Sequence, residues 1–407
     1  MELKRYKLGE IGEIRMCKRI LKEETNSVGG VPFFKIGTFG GQADVFIAKE
    51  KFEEYKNAYS YPKKGDVLIS AAGTIGRTVV FDGKDAYFQD SNIVWIENDE
   101  SKVLNEYLFY CYKNIRWTTS VGSTILRLYN DDIRNTDIIV PPLSEQKKIA
   151  SVLSALDDKI ALNKKMNQKL EAMAKRLYDY WFVQYDFPDK NGHPYKTTGG
   201  PMTYNPTLKR EIPVGWEVKN LFDCSDVLYG FPYATEPFDE ENLDTSTKPY
   251  PVIRIRDIKD NSISAKTTEA VDDKYRTKVN DLLVGMDGYF HMSFWPRNDD
   301  YVNQRITRIR QKELSVMIIY HQIAPFIKFK EGQAKGSTVG HLSDKDMKQI
   351  NILVPNNLRL SEKFDGILNL ITKNKLEITR LTKLRDNLLP LLMNGQVVVD
   401  DFKRGDN

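Results

Sequence analysis

The chain of 407 residues has few cysteines, few histidines and no long apolar run. Its three cysteines form no Cys-x-x-Cys pair: Cys17, Cys111 and Cys224. This pattern favours reduced thiols in a cytosolic protein and argues against a structural zinc site. The four histidines show no spacing typical of metal ligands, and satisfied or exposed histidines are the expected state. We therefore predict no metal site and no cofactor bound by this chain.

No run of eighteen apolar residues occurs, and the N-terminal stretch MELKRYKLGEIGEI lacks the apolar core of a signal peptide. We therefore expect a soluble, cytoplasmic protein without a membrane partner. Lys and Arg total 60 against 56 for Asp and Glu, giving a net charge of +4. This mild excess permits a nucleic-acid partner but does not require one.

Motifs of known catalytic sites are incomplete in this sequence. The stretch Gly73–Thr78 resembles a phosphate loop, but its spacing is short and the lysine is missing. No Asn-Pro-Pro-Tyr type tetrapeptide occurs, which argues against an adenine-methylating active site. Asp189, Glu217 and Lys219 formally fit a nuclease pattern, although Asp189 opens a turn and Glu217 enters a predicted edge strand. We predict no catalytic residue, and a nuclease remains the most distant alternative.

What the sequence does contain is an internal repeat. The stretch VGSTILRLYNDDIRNTDIIVP, at 121–141, recurs as KGSTVGHLSDKDMKQINILVP at 335–355, an offset of 214 residues. Upstream, GDVLISAAG matches NDLLVGMDG at an offset of 215, and Leu8 and Ile14 match Leu221 and Val227 at 213. Offsets that stay nearly constant over more than a hundred positions indicate a duplicated unit.

Each copy is predicted to be a mostly β domain followed by a long helix. The stretch DVLISAAGTIGRTVVF is typical of strand, glycine turn and strand, while NIVWIE and RITRIR are short strands. YLFYCYKNI is expected to form a compact aromatic helix or buried segment. A turn-rich stretch, FPDKNGHPYKTTGGPMTYNP, separates the first helix from the second β domain.

Both helices carry apolar residues at alternating steps of four and three, which is typical of a coiled-coil seam. Ser144 is the expected cap of the first helix, and the second is expected to repeat the pattern after Ser361. About forty residues of helix correspond to roughly 60 Å of rod. The predicted seam comprises Ile149, Leu153, Leu156, Ile160, Asn163, Asn167, Leu170, Phe364, Ile367, Ile371, Asn374, Ile378 and Leu381.

Neither helix is expected to be stable alone, so we predict that they pack on each other as an antiparallel pair. Midpoint alignment then places Asn167 beside the stretch from Asn374 to Ile378, and Leu153 near Leu388. Polar residues in the seam lower stability but penalise other registers. The fold class is α+β: two mostly β domains joined by two long helices packed as an antiparallel coiled coil, with pseudo-twofold duplication.

Polar loops recur at matching places in both copies, and we predict that they bind DNA. Amide and guanidinium groups can pair with base edges, while hydroxyls after glycine suit phosphate contacts. For any single residue, an ordinary polar loop is the competing interpretation. The predicted DNA-binding residues are Lys35, Thr74, Arg77, Gln89, Ser91, Asn92, Ser123, Thr124, Arg127, Arg254, Arg256, Tyr289, His291, Asn303, Gln304, Arg305, Lys335, Ser337 and Thr338.

The whole chain resembles the specificity (S) subunits of type I restriction-modification enzymes. The resemblance rests on LSEQKKIASVLSALDDKIALNKKMNQKLEAMAKRLYDYWFVQYDFP, on IPVGWEVKNLFD and on the GST…L…VP ending of both copies. It implies two target-recognition domains, each reading one half of a split, asymmetric site in double-stranded DNA. It also implies two methyltransferase (modification) subunits docked on the helices and translocase-nuclease (restriction) subunits. S-adenosylmethionine, ATP and magnesium then belong to those partners, within a site-specific endonuclease and adenine methyltransferase complex.

Two stretches depart from the family pattern. GMDGYFHMSFW replaces the glycine-threonine turn in the second copy, and NNLRLSEKF lacks the usual opening of the second helix. The main alternative is a coiled-coil scaffold that assembles proteins without reading DNA. The predicted organisation is a first target-recognition domain at 1–142, a helix at 143–184, a second such domain at 185–358, a helix at 359–397 and a tail at 398–407.

Overall fold

The computed structural model describes residues 2–117, 127–233, 249–334 and 340–399, except the side chain of residue 334. The chain divides into two compact units. Unit 1 comprises Met1–Asp158 with Leu381–Asn407, and unit 2 comprises Lys159–Arg380. Each unit therefore contains one β domain and parts of both long helices, whereas the predicted domain boundaries lie at the helix ends.

Unit 1 is built from short strands and short helices around two apolar clusters. Its helices are α1 (Lys49–Ala58), α2 (Asn105–Asn114), α3 (Asn130–Arg134) and the first part of α4 (Leu143–Tyr178). Its strands are β1 (Lys4–Lys7), β2 (Gly12–Met16), β3 (Thr25–Asn26), β4 (Val31–Phe34), β5 (Val45–Ile47), β6 (Val67–Ser70), β7 (Thr78–Val80), β8 (Tyr87–Phe88), β9 (Ile93–Asn98) and β10 (Asp137–Val140).

The strands of unit 1 form one antiparallel sheet, one mixed sheet and one pair. The antiparallel sheet has the order β2-β9-β6-β7, and the mixed sheet has the order β3-β5-β4-β8. In the mixed sheet, β4 and β8 are parallel. Strands β1 and β10 pair antiparallel, which brings the two ends of the β domain together. The predicted strand, glycine turn and strand correspond to β6 and β7, and the predicted aromatic helix is α2.

Unit 2 contains the second β domain. Its helices are α5 (Leu221–Cys224), α6 (Ile255–Ile258), α7 (Val316–Ala334), α8 (Asp344–Met347) and most of α9 (Arg359–Met393). Its strands are β11 (Met202–Asn205), β12 (Arg210–Pro213), β13 (Glu217–Asn220), β14 (Ser225–Tyr229), β15 (Tyr250–Ile253), β16 (Ala265–Thr267), β17 (Leu282–Gly285), β18 (Met292–Phe294), β19 (Tyr301–Val302), β20 (Ile306–Gln311) and β21 (Asn351–Val354). Strand β11 lies within the stretch for which the sequence predicts turns and no strand.

The sheets of unit 2 repeat those of unit 1. The order β14-β20-β17-β18 corresponds to β2-β9-β6-β7, and the pair β13-β21 corresponds to β1-β10. In the sheet β16-β15-β19, strands β15 and β19 are parallel, as β4 and β8 are in unit 1. The duplication predicted from the sequence is therefore a duplication of topology. Strands β11 and β12 form an antiparallel pair of their own.

The two long helices pack antiparallel. In unit 1, Leu153 of α4 shares one apolar cluster with Leu388 of α9, as predicted. In unit 2, Asn167 of α4 is hydrogen-bonded to Asn374 of α9, also as predicted. In the turn that follows α4, Trp181 packs edge-on against Phe364, with ring centroids 5.9 Å apart. Since contacts later in α4 meet earlier residues of α9, the helices run in opposite directions, and the predicted fold class is confirmed.

The helix ends differ from the sequence prediction in three details. Helix α4 begins at Leu143, and the Pro142 carbonyl accepts the N–H groups of Glu145 and Gln146, so Ser144 lies inside the first turn and is not the cap. After Tyr178 the chain continues as a π-helical turn over Asp179–Val183. Helix α9 begins at Arg359, the first residue of the predicted range 359–397, so Ser361 lies inside its first turn and does not precede the helix. The side chain of Asn357 accepts the N–H of Arg359 at 3.1 Å.

Candidate nucleic-acid interface

Lys35 and Gln89 of unit 1 lie where two parallel strands end. Lys35 follows β4 and Gln89 follows β8, and the carboxyl ends of parallel neighbours meet at the same edge of a sheet. The N–H of Gln89 donates to the Phe34 carbonyl at 2.9 Å. The Gln89 side-chain oxygen accepts the N–H of Ile36 at 3.0 Å. The structure thus brings these two predicted residues together. Since the side-chain oxygen of Gln89 is engaged, its NH2 group is the part of the amide that can donate to a ligand.

The glycine loop between β6 and β7 joins this edge. Gly73 and Gly76 have φ of 66° and 80°, and a Cβ on Gly76 would lie 2.4 Å from Trp117. Glycine is therefore required at position 76 on both backbone and steric grounds. The Arg77 guanidinium donates to the carbonyl of Phe39 at 2.8 Å, which ties the loop to the segment that follows β4. The predicted Thr74 is exposed in the same loop.

Arg127 is joined to the start of the same loop by backbone contacts. Its backbone forms an isolated β-bridge with Ala72, and the N–H of Leu128 donates to the Ala71 carbonyl at 2.8 Å. The N–H of Ala71 donates in turn to the Asn92 carbonyl at 2.8 Å. Ser91, which has a φ of 51°, accepts a 3.4 Å hydrogen bond from the Arg127 guanidinium. We call the resulting set the polar edge of unit 1, which consists of Lys35, Arg77, Gln89, Asn92 and Arg127.

Unit 2 repeats the backbone framework of this edge. Asn303 follows β19, and its N–H donates to the Ile253 carbonyl at 3.2 Å, next to Arg254. The N–H of Met286 donates to the Arg305 carbonyl at 2.9 Å, as Ala71 donates to Asn92. A β-bridge between Asp287 and His341 takes the place of the bridge between Ala72 and Arg127. The polar edge of unit 2 therefore consists of Arg254, Asp287, Asn303, Arg305 and His341.

The side chains on the two edges differ in chemistry. In unit 2 the Asp287 carboxylate contacts Arg305 Nε at 3.2 Å and His341 Nδ1 at 2.6 Å. The corresponding positions of unit 1 carry Ala72, Asn92 and Arg127, so no carboxylate lies at the bridge. The backbone hydrogen bonds are thus common to both edges, and the groups available to a ligand are not. Sequence reasoning named Arg305 but missed Asp287 and His341, because their contact depends on the bridge between distant segments.

Arg254 and Arg256 converge on one serine. Both guanidinium groups donate to Ser264 Oγ, Arg254 from Nε at 3.2 Å and Arg256 from Nε at 3.0 Å. Burial and the neighbouring positive charge of Arg256 lower the pKa of Arg254. Two like charges this close repel each other, and an anionic group such as a phosphate would relieve that repulsion.

Three other predicted residues of unit 2 have distinct surroundings. Tyr289 is 69% exposed and stacks on His291, with ring centroids 5.8 Å apart and an angle of 16° between the ring planes. Gln304 differs from expectation, because its side-chain oxygen is buried and has no hydrogen-bond partner among the described residues. An amide whose oxygen is buried in this way is less accessible to a base edge than the exposed Arg305 beside it. The remaining predicted residues lie outside the described residues: Ser123, Thr124, Lys335, Ser337 and Thr338.

The residues of the nuclease alternative have local structural contacts. Asp189 Oδ1 accepts the N–H groups of Asn191 and His193 at 2.8 and 2.9 Å, which closes a turn. Lys219 contacts Glu217 of the same strand, β13, at 3.8 Å and Glu313, which follows β20, at 3.0 Å. Within the described ranges, no group of three or more His, Cys, Asp or Glu side chains could hold a metal ion. In the same part of the chain, no helix is long and apolar enough to span a lipid bilayer.

Comparison with known proteins places these features in one family. The model of the type I restriction modification DNA specificity domain matches residues 2–172 and 213–385. The type I restriction enzyme MjaIX specificity subunit of Methanocaldococcus jannaschii is 25% identical over 445 residues, covering 98% of each chain. A Haemophilus influenzae protein bearing the name of a type I restriction enzyme specificity subunit is 59% identical over 150 residues, which are 37% of this chain and 39% of that one.

The fold is also found in a solved structure. The crystal structure of the type I restriction-modification S subunit from M. genitalium superimposes with a TM-score of 0.58 at 17% sequence identity. The superposition covers 97% of this chain and 96% of that one. At this level of identity the likeness establishes the shared fold.

Proposed function

Because the chain belongs to the family of type I restriction-modification DNA specificity subunits, we propose that each unit reads one half of a split, asymmetric DNA site. The observation that carries the proposal is the repeated framework of the two polar edges. The same backbone hydrogen bonds present Lys35 in unit 1 and Arg254 in unit 2. Asn92 in one copy is replaced by Arg305 in the other. Since different side chains prefer different bases, the two half-sites differ in sequence.

The basic residues of each edge supply sequence-independent affinity. Lys35, Arg77 and Arg127 in unit 1 are positive groups beside the amides that can read bases. In unit 2 this part is taken by Arg254 and by Arg256, which shares Ser264 with it. Contacts from such residues to phosphates fix position and register, while hydrogen bonds to base edges carry the sequence information. We assign Gln89, Asn92, Asn303 and Arg305 to base contacts.

The long helices are proposed to dock two methyltransferase subunits. On α4 and the turn that follows it, Leu162, Met166, Met173 and Tyr180 are large exposed apolar side chains. The last three are spaced by seven residues and therefore lie along one face. An exposed apolar stripe of this kind marks a surface that binds another protein. Restriction subunits join the complex, and S-adenosylmethionine, ATP and magnesium are bound by these partners.

The chain itself is proposed to be non-catalytic. Purified alone and supplied with S-adenosylmethionine, ATP and magnesium, it is expected neither to methylate nor to cut DNA. Methyl transfer by the isolated chain would contradict this proposal. With the methyltransferase subunits present, methylation of a defined split site is expected.

The proposal is tested by mapping methylated bases in the native genome with and without this gene. Loss of one methylated split motif on deletion is expected, and an unchanged methylation map would overturn the proposal. A Gln89→Glu variant then tests the polar edge of unit 1, because glutamate keeps the oxygen that accepts the Ile36 N–H but loses the NH2 donor. We expect weaker preference at one position of one half-site, by about 1–3 kcal/mol.

The matched control for that variant is Asn57→Asp. Asn57 is an exposed amide on α1 of the same unit, so this control makes the same amide-to-carboxylate change. It should leave the motif unchanged. A scaffold that does not read DNA predicts that neither variant alters the motif, and equal effects of both variants would show that added charge alone is responsible.

A further inference from the structure

The polar edge of unit 2 contains an arginine held by a carboxylate. Asp287 Oδ2 contacts Arg305 Nε at 3.2 Å, and Asp287 Oδ1 contacts His341 Nδ1 at 2.6 Å. The Arg305 side chain is 55% exposed, whereas the Asp287 side chain is 28% exposed. Both carboxylate oxygens of Asp287 are thus occupied, and the arginine is the more accessible member of the group.

Backbone contacts fix the positions of all three residues. The carbonyl of Arg305 accepts the N–H of Met286 at 2.9 Å, directly before Asp287. Asp287 and His341 are paired by the β-bridge, and the N–H of Leu342 donates to the Met286 carbonyl at 2.7 Å. The group is therefore positioned by three separate segments of unit 2, and does not depend on a single exposed loop.

The chemistry of the group selects among the four bases. The ion-pair contact with Asp287 is made at Nε, which leaves the two terminal amino groups of Arg305 as a pair of donors. Guanine offers two neighbouring acceptors, O6 and N7, in the major groove, and an arginine pairs with both. Adenine offers one acceptor and one donor, and cytosine offers a donor. Asp287 is less suited to the cytosine donor than Arg305 is to guanine, since its side chain is only 28% exposed and each of its oxygens already contacts a basic group.

We propose that Arg305 reads a guanine in the half-site recognised by unit 2, with Asp287 and His341 as positioning residues. The inference rests on the proposed function and deepens it by naming one base and the residue that selects it. In unit 1 the corresponding positions are Ala72, Asn92 and Arg127, so this arrangement is absent there. The guanine contact therefore distinguishes the two half-sites.

The test maps the methylated motif with the complete complex of wild type and five variants. Arg305→Ala should relax a single guanine position in the half-site of unit 2, reducing discrimination there by about 5- to 150-fold. Arg305→Lys keeps the positive charge but loses the paired donors, so it should retain overall DNA affinity and relax the same position. If Arg305→Ala does not fold, the result for Arg305→Lys alone tests the guanine contact. Arg210→Ala is the matched control, since Arg210 is an exposed arginine on the separate strand pair β11-β12 of unit 2.

The positioning role of Asp287 is tested by a double-mutant cycle. Asp287→Ala should weaken discrimination at that guanine only, leaving all other positions of the motif unchanged. The double variant Asp287→Ala, Arg305→Ala should be no worse than Arg305→Ala alone, because Asp287 acts through the arginine. Independent, additive losses would overturn the positioning role.

The outcomes separate this inference from the proposed function. If deletion of the gene leaves methylation unchanged, the proposed function itself fails. If the motif depends on unit 2 but has no guanine that responds to Arg305, only this inference fails. An equal effect of Arg210→Ala would also overturn it, because the loss of one positive charge would then explain the result.

Discussion

The side-chain amide of Asn374 donates a 2.8 Å hydrogen bond to the amide oxygen of Asn167, across the helix pair of unit 2. Asn167 in turn donates to the carbonyl of Ile371 at 3.2 Å, on the same helix as Asn374. Asn167 is buried, so these bonds satisfy an amide that water does not reach freely. A shift of the helix register by one turn would leave this amide unpaired.

Replacing Asn374 by leucine alone should destabilise the protein. The Asn167 oxygen would lose its partner in a buried seam, at a cost of about 1–3 kcal/mol in the free energy of unfolding. Replacing both asparagines by leucine removes the unpaired group and should give a protein more stable than wild type. Urea unfolding of wild type, both single variants and the double variant measures the coupling free energy between Asn167 and Asn374. Additive effects of the two single changes would contradict the contact.

The heptad pattern predicted this contact, but it underestimated how much of α9 is buried. Leu368 and Thr372 are buried although they lie outside the predicted seam. In unit 2 the helix contacts α4 and also the apolar cluster of the β domain, so a second face is covered. A spacing of four and three residues identifies the seam between two helices. It contains no information about the second face, which depends on how the β domain folds.

Removing the basic residue at the end of β4 or β15 should weaken DNA binding regardless of sequence. Lys35→Ala and Arg254→Ala change equivalent positions of the two polar edges. In the complex with methyltransferase subunits, each should lower affinity for cognate and unrelated DNA alike. Each should also reduce the slope of log affinity against log salt by about 1. Titrations from low to moderate salt test this, and a loss confined to cognate DNA would show that the residue reads bases instead.

Lys375 should make stability depend on pH. Its ammonium group donates to Ser293 Oγ at 3.0 Å and to the Phe294 carbonyl at 3.1 Å. Burial lowers the pKa of Lys375 from an ordinary value of 10.5 to about 8, although the negative charge of Glu171 acts to raise it. Between pH 8 and 10.5 the unfolded chain binds a proton that the folded chain does not, so this group makes stability rise with pH. The full effect is about 3 kcal/mol or less.

The variant Lys375→Met removes this dependence. The free energy of unfolding of the variant should exceed that of wild type by the largest amount near pH 7. This excess should shrink as the pH rises to 10.5. Lys373→Met is the control, since Lys373 is exposed on the same helix and should show no such trend. A difference between Lys375→Met and wild type that stays constant from pH 7 to 10.5 would contradict the burial of the charge.

The candidate site was predictable where the repeat keeps its offset. Asn92 and Arg305 directly precede strands β9 and β20, which start 213 residues apart, and the sequence located both. Lys35 and Arg254 follow strands β4 and β15, which start 219 residues apart, because more residues precede the strand in unit 2. The sequence named both residues without showing that they are equivalent. That equivalence became visible only through the parallel pairing of β4 with β8 and of β15 with β19.

The measurement that tests the central claim most directly is a domain exchange followed by methylation mapping. Residues 1–142 are replaced by the equivalent domain of a relative that recognises a different site, and the variant is expressed with its methyltransferase subunits. We expect one half of the methylated motif to change to that of the relative while the other half stays intact. A motif in which both halves change, or neither does, would contradict the assignment of one half-site to each unit.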